Sequence, residues 1–174
     1  VLLADLDGDD LSDVVLGANL ANPIVPPKKY DAGSVHVFLG GEGLASGSAA
    51  DADATYSGEE PDDEFGSALA AGDMNGDGIN DLMATAPGSQ ALGSETGRAY
   101  VFLGSSPLVG ASAADADAIY SGQQSNADFG RDVTSADLNG DGYADVCVGA
   151  PHNSYGANKN GRCYTWLGAD ELND

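Results

Sequence analysis

The nine residues Asp73-Met74-Asn75-Gly76-Asp77-Gly78-Ile79-Asn80-Asp81 decide the reading of this chain. Oxygen-bearing side chains stand at positions 1, 3, 5 and 9, with Gly78 at position 6. Alternate side chains of a turning loop can converge on one point, and the backbone carbonyl of position 7 adds a further oxygen. A hard cation such as Ca²⁺ takes about six to eight oxygens at ~2.3–2.6 Å. Glycine at position 6 suits the sharp turn, because it reaches positive φ without strain. The start is that of an EF-hand loop, but Ala84 occupies position 12, so Asp81 must supply the closing carboxylate. The pattern recurs as Asp137-Leu138-Asn139-Gly140-Asp141-Gly142-Tyr143-Ala144-Asp145 and as Asp5-Leu6-Asp7-Gly8-Asp9-Asp10-Leu11-Ser12-Asp13. The competing reading is a hairpin turn with solvated carboxylates, since Asp, Asn and Gly favour turns. A turn needs one such residue, not four at fixed spacing, and clustered carboxylates repel each other without a counter-ion. Oxygen-only loops favour Ca²⁺ over Mg²⁺, which keeps more water, and they lack the His or Cys that Zn²⁺ takes.

The loops mark a repeat. Asp73 and Asp137 are 64 residues apart, and Phe65 to Phe129, Gly97 to Gly161 and Tyr56 to Tyr120 have the same spacing. Asp5 to Asp73 is 68, because the stretch between Asn19 and Gly33 is four residues longer than its counterparts. That insert, Asn22 to Tyr30, is rich in proline and reads as an extended loop. The middle repeat predicts four strands: Phe65 to Gly72, Asp81 to Pro87, Gly97 to Gly104 and Ala116 to Gly122. Turn chemistry separates them, and the alanine-rich stretches 48–53 and 112–117 read as turns with room for one helical turn. Four short antiparallel strands per repeat describe β-propeller blades; β-helix repeats are much shorter. The expected architecture is all-β, one segment over 1–174 with repeats at about 1–58, 59–122 and 123–174.

Composition narrows the function. The chain has 28 acidic and 6 basic residues, a formal charge of −22, which disfavours nucleic acid and anionic membrane surfaces. The three loops hold eleven of the acids, and three Ca²⁺ would leave about −16. No apolar run reaches the ~18 residues of a membrane span. The chain starts at Val1 with no leader in view, which reads as a piece of a longer secreted or surface polypeptide.

These motifs resemble FG-GAP repeats, the units of the seven-bladed propeller at the head of integrin alpha subunits, found also in many bacterial surface proteins. Phe65-Gly66 and Phe129-Gly130 match the first half, and Gly149-Ala150-Pro151 the second, with degenerate forms Thr85-Ala86-Pro87 and Gly17-Ala18-Asn19. The acidic loop lies between, and a Gly-x-x-Tyr-x-Phe/Trp-Leu-Gly strand follows. The resemblance implies a β-propeller with Ca²⁺ in loops on one rim. The implied ligands are Asp5, Asp7, Asp9, the Leu11 carbonyl and Asp13; Asp73, Asn75, Asp77, the Ile79 carbonyl and Asp81; and Asp137, Asn139, Asp141, the Tyr143 carbonyl and Asp145. The first set has four carboxylates and the others three, so it should bind most tightly. It also implies that a partner meets the opposite rim, where the insert around Pro23 to Tyr30 is the first candidate for a contact.

The first copy lacks its Phe-Gly and the third stops before a counterpart of the Tyr56 and Tyr120 strands, so about three blades are present. Three blades do not close a ring. Either copies associate to complete one, the reading preferred here, or the segment is an open arc cut from a longer parent. Cys147 and Cys163 sit on the second and third strands of the last repeat, where the other copies have Val15 with Val35 and Met83 with Ala99. A cross-strand disulfide and two buried thiols both fit. Phe38, Phe102 and Trp166 share one repeat position and read as core between blades; His36 takes the place of Tyr100 and Tyr164. Neither His36 nor His152 belongs to a nucleophile motif, and there is no Gly-x-Ser-x-Gly elbow, so the expectation is not an enzyme. The function expected is a calcium-stabilised extracellular module for protein recognition or adhesion. The alternative is a glycan-binding or accessory domain of a secreted enzyme, for which the candidate exposed aromatics are few (Tyr30, Tyr155).

Overall fold

Strands of β-branched, aromatic and small residues are cut by turns, with Asp-Gly in all three repeats, Asn-Gly in the second and third and Pro87-Gly88 in the second, and the chain folds back on itself between strands. The computed structural model describes residues 1–22, 30–41, 47–154, 160–170 and 172. The first sheet contains β1 (Leu2–Ala4), β2 (Asp13–Ala18), β3 (Ser34–Phe38) and β4 (Ala54–Ser57), paired in that order. The second contains β5 (Leu69–Gly72), β6 (Asp81–Ala86), β7 (Arg98–Phe102) and β8 (Ala118–Ser121). The third contains β9 (Asp132–Ala136), β10 (Asp145–Ala150) and β11 (Arg162–Trp166). Every pairing is antiparallel, so the three sheets are up-and-down blades of a partial propeller with four, four and three strands. No α-helix occurs among the described residues; Ala49–Asp51 and Ala113–Asp115 form single 3-10 turns, where the alanine-rich stretches allowed one.

The blades stack through two cores. Strand alternation sends Leu82, Ala84, Tyr100 and Phe102 of the second blade toward the first, and Met83, Ala99 and Val101 toward the third. This sandwiching explains why β6 is buried at all six positions. The first strands of the blades lie side by side, and the Ser135 hydroxyl of β9 donates to the Ala71 carbonyl of β5 at 2.6 Å.

The expected first strand of the repeat is too long. Phe65-Gly66 is a turn, not the start of a strand that runs to Gly72; β5 begins only at Leu69. The turn wedges the seam. Phe65 is fully buried, edge-on to Tyr100 and Phe102 of its own blade and within the core of the preceding one. Phe129 repeats the arrangement against Tyr164 and Trp166. Gly66 and Gly130 have φ of 88° and 89°, the left-handed region that glycine reaches without strain. Gly97 is tighter still: a Cβ there would stand 2.0 Å from the Phe129 carbonyl oxygen.

The third strand meets no fourth among the described residues, as the short third repeat implied. Phe102 and Trp166 pack at blade seams, whereas Phe38 is only half-buried, on a face with no neighbouring blade among the described residues. His36 is a strand residue of β3, hydrogen-bonded to the Ser34 and Thr55 hydroxyls. Cys147 and Cys163 form a disulfide, with Cα atoms 6.4 Å apart. The register places Cys163 opposite Gly149 and Cys147 opposite Thr165, so the bridge runs diagonally on one face of the blade. It lies on the face turned away from the second blade, which is why these cysteines are not the buried pair that Met83 and Ala99 are.

Candidate metal centre

Each acidic nonapeptide connects the first two strands of its blade, so all three loops fall on one rim. The loop folds around its first residue. Asp73 Oδ1 accepts from the Gly76 and Asp77 amides at 2.6 and 3.1 Å, and Oδ2 from Gly78 at 2.9 Å. Asp5 accepts in the same way from Gly8, Asp9 and Asp10, and Asp137 from Gly140 and Gly142. These donors hold the Asp137 carboxyl below its ordinary range. Positions 3 and 5 fold inward by the same local logic: the amide of position 5 donates to position 3, and that of position 7 to position 5. The glycine at position 6 is in the left-handed region, φ 91° at Gly78 and 96° at Gly142, and Asp10 adopts it too at 68°. That is the conformation the spacing predicted, reached by Asp at some steric cost.

Position 9 has a structural duty that the spacing alone did not reveal. Asp13, Asp81 and Asp145 are fully buried. One carboxylate oxygen accepts from the amide of position 2, at Leu6, Met74 and Leu138. The other accepts from Gly40, Gly104 and Gly168 after the third strand. The residue therefore ties the acidic loop to the neighbouring connection on the same rim. Burial pushes the Asp81 carboxyl up to about 6 despite these two donors, and Asp77 and Asp73 add repulsion. The signal for this role was present in the sequence as the fixed glycine after each third strand.

The donor set fits a hard cation. Carboxylate oxygens of Asp5, Asp7 and Asp13 lie within 4.8 Å of one another. The oxygens that accept a single amide, at positions 3, 5 and 9 and Oδ2 of position 1, retain lone-pair capacity, whereas Oδ1 of Asp5 and of Asp73 already accepts two amides. Burial and the charges of Asp9 and Asp13 raise the Asp7 carboxyl above its ordinary range, which is what crowding without a counter-charge does. The described ion pairs, Arg98 with Glu59 and His152 with Asp128, are on other connections, and neither brings a basic group to the loops. In the second and third loops Asn75 and Asn139 replace one carboxylate, and their amide nitrogens donate to Asp77 and Asp141. Asp5, Asp7 and Asp13 are thus brought together, with Asp9 in the same loop but outside that group; Asp73, Asn75, Asp77 and Asp81, and likewise Asp137, Asn139, Asp141 and Asp145, share their loops without a carboxylate triad that close among the described residues. Leu11, Ile79 and Tyr143 take the seventh position, each with its amide bound to the carboxylate two residues before.

The opposite rim carries the connections between second and third strands and the links from one blade to the next. Asp62, Glu64, Gln90, Glu95, Asp128 and Arg131 line a groove there. Residues 23–29 of the proline-rich insert, and Tyr155, lie outside the described residues; Tyr30 is exposed.

A family profile described as FG-GAP repeat matches residues 1–38, 65–102 and 129–166. The chain is 32% identical to phosphatidylinositol-glycan-specific phospholipase D of Bos taurus over 91% of its length and 19% of the relative's. It is 33% identical to integrin alpha-IIb of Mus musculus, over 91% of the chain and 15% of the relative, and 30% identical to integrin alpha-PS2 of Drosophila melanogaster, over 87% and 10%. The chain therefore spans a fifth or less of these curated relatives. Three matched repeats, each one a blade with its acidic loop and its wedge or strand in register, place this chain in the FG-GAP repeat family.

Proposed function

We propose that the chain is a calcium-binding β-propeller module of an extracellular or cell-surface protein that serves protein recognition or adhesion. Ca²⁺ in the three acidic loops braces the blades. The observation that carries the reading is the convergence of Asp5, Asp7 and Asp13 with no basic side chain beside them among the described residues. A bound ion supplies the missing counter-charge and fixes the turn between the first two strands. Asp5, Asp7, Asp9 and Asp13 hold it in the first loop, the matching residues hold it in the others, and the seventh-position carbonyl completes each set. The disulfide suits an oxidising compartment. The groove on the opposite rim leaves a recognition surface clear of the ions. A ring would be completed by association of copies, since both outer blade faces lack a neighbouring blade among the described residues.

An ion that binds only the folded chain adds about 2.7 kcal/mol per site at 100 times its Kd. Three such sites would supply a large share of the ~5–15 kcal/mol that a domain typically has. Excess chelator should therefore lower the melting temperature steeply, and metal analysis should return three Ca²⁺ per chain. An unchanged melt together with a calcium-free protein would remove the reading.

The second reading, an accessory or glycan-binding domain of a secreted enzyme, draws on the phospholipase D relatives, which match 91–98% of the chain. Binding to a glycan array with no protein captured would favour it over adhesion.

A further inference from the structure

The three acidic loops lean on one another in sequence. The eighth-position amide of one loop donates to the first-position carbonyl of the loop before it: Asn80 to Asp5 at 3.3 Å, and Ala144 to Asp73 at 2.8 Å. The Asn80 side chain adds a second bond to the same Asp5 carbonyl at 3.0 Å. The seventh-position side chain lies over the fourth-position glycine of the preceding loop. A Cβ on Gly8 would stand 3.2 Å from Ile79 Cδ1, and one on Gly76 would stand 2.4 Å from the Tyr143 ring. Both glycines have positive φ, 77° and 78°, so each leaves a backbone notch that the next loop fills. The second-position carbonyl is also held from the next blade, Leu6 by Ser105 at 3.1 Å and Met74 by Ala169 at 3.0 Å.

We infer that Ile79, Asn80, Tyr143 and Ala144 position the neighbouring cation loop as well as their own, so that Ca²⁺ binding is positively coupled between adjacent loops. The inference rests on the reading of these loops as Ca²⁺ sites. The seventh residue straddles two of them: its carbonyl belongs to its own loop, and its side chain buttresses the one before. An ion that orders the third loop fixes the Tyr143 ring and the Ala144 amide on Gly76 and Asp73. The second loop then has less freedom to lose when its own ion binds. Linkage makes the effect reciprocal. The coupling joins the first loop to the second and the second to the third, with no direct term between first and third, as expected for a chain of nearest neighbours. It also ranks the sites. The first loop has four carboxylates and a buttress, the second three and a buttress. The third has no such neighbour among the described residues: Leu138 is 61% exposed where Leu6 and Met74 are 0% and 1%.

The test is a Ca²⁺ titration of the whole chain by calorimetry, with the amide signals of Gly8, Gly76 and Gly140 as reporters of the three loops in NMR. Disabling the third loop with Asp137→Asn and Asp141→Asn should leave two ions and weaken the second site about fivefold or more. Tyr143→Ala keeps the backbone carbonyl, so three ions should still bind while the second site weakens to a similar degree. Tyr143→Phe, which keeps the ring and loses only the hydroxyl's hydrogen bond to Asp170, should stay far closer to the parent than Tyr143→Ala. Combining Tyr143→Ala with the disabled third loop should give less than the product of the two separate losses at the second site. Ile79→Ala should weaken the first site in the same manner and stands as the independent variant if Tyr143→Ala folds poorly. Three ions that bind with affinities indifferent to these changes would overturn the coupling and leave the calcium reading intact. A protein that takes up no Ca²⁺ at all would overturn both.

Discussion

Asp63 sits buried at the seam between the first two blades, on the connection that carries Phe65-Gly66. Burial pushes its carboxyl up to about 6, and Glu59 and Glu60 push it further, against the pull of the Glu60 amide and of Arg98. A carboxyl whose pKa is higher folded than unfolded binds its proton more tightly in the native state. Its contribution is most favourable at low pH and is lost as pH rises from about 4 through about 6. Asp63→Asn, which keeps an oxygen for the Glu60 amide, should therefore stabilise the protein at pH 8 by about 1–3 kcal/mol. The gain should shrink toward zero by pH 4. Thermal melts of the two proteins across that range check it, and a difference that does not change with pH would refute it. The sequence hid this residue because the run Glu59-Glu60-Pro61-Asp62-Asp63-Glu64 reads as a solvated acidic loop, and nothing local says which of its acids turns inward. The acidic loops were legible at the same scale because their pattern repeats three times at fixed spacing. The overlap of Tyr143 with Gly76 was not, since the two lie in different repeats and only blade stacking brings them together.

At the scale of the element, the strands were legible where alternation and turn residues agreed, as in Arg98–Phe102 between Gly97 and Gly104. The first strand of the repeat was overdrawn because small residues run on from Phe65 without a break, and only the seam between blades shows that Phe-Gly is a wedge. That wedge should bear much of the stacking energy. Phe129 is fully buried, against Tyr164 and Trp166 of the third blade and in one core with Met83, Val101 and Tyr120 of the second. Phe129→Ala should cost about 3–5 kcal/mol, the usual range for a buried Phe. Because the contact bridges two blades, it should also release the third blade, seen as faster hydrogen exchange in β9 to β11 than in β1 to β4. Uniform exchange across the blades in the variant would show that Phe129 is ordinary core. The disulfide belongs to this scale as well. Its two cysteines occupy one face of adjacent strands, a placement that two free thiols would share, so sequence alone left both open.

At the scale of the molecule, the two outer faces differ in chemistry. The face of the first blade turned away from the second carries Leu3, 64% exposed, with Val14, Leu16 and Phe38 half-buried. The corresponding face of the second blade, with Leu82, Ala84, Tyr100 and Phe102, is buried against its neighbour and the Phe65 wedge. At the other end, Thr134, the Cys147–Cys163 disulfide and Thr165 stand where the second blade has Ala70, Met83, Ala99 and Val101, and Leu138 is left exposed. One face is apolar and the other small and mixed, so the geometry favours head-to-tail contact between unlike faces over a two-fold pair of like ones. The −22 charge opposes any such contact, and bound Ca²⁺ and salt should both relieve that repulsion. The expected outcome is a mass above the 17.4 kDa of the single chain by light scattering, rising with protein concentration in Ca²⁺ and falling toward the single chain in chelator. Leu3→Asp and Leu138→Asp alter opposite faces and neither touches a blade-to-blade core, so each alone should return the protein to the single chain while leaving its melt in Ca²⁺ nearly unchanged. A single chain at every concentration in saturating Ca²⁺ would end the association proposal. Loss of association in one variant but not the other would mean that like faces meet, and the head-to-tail arrangement would give way to a two-fold one.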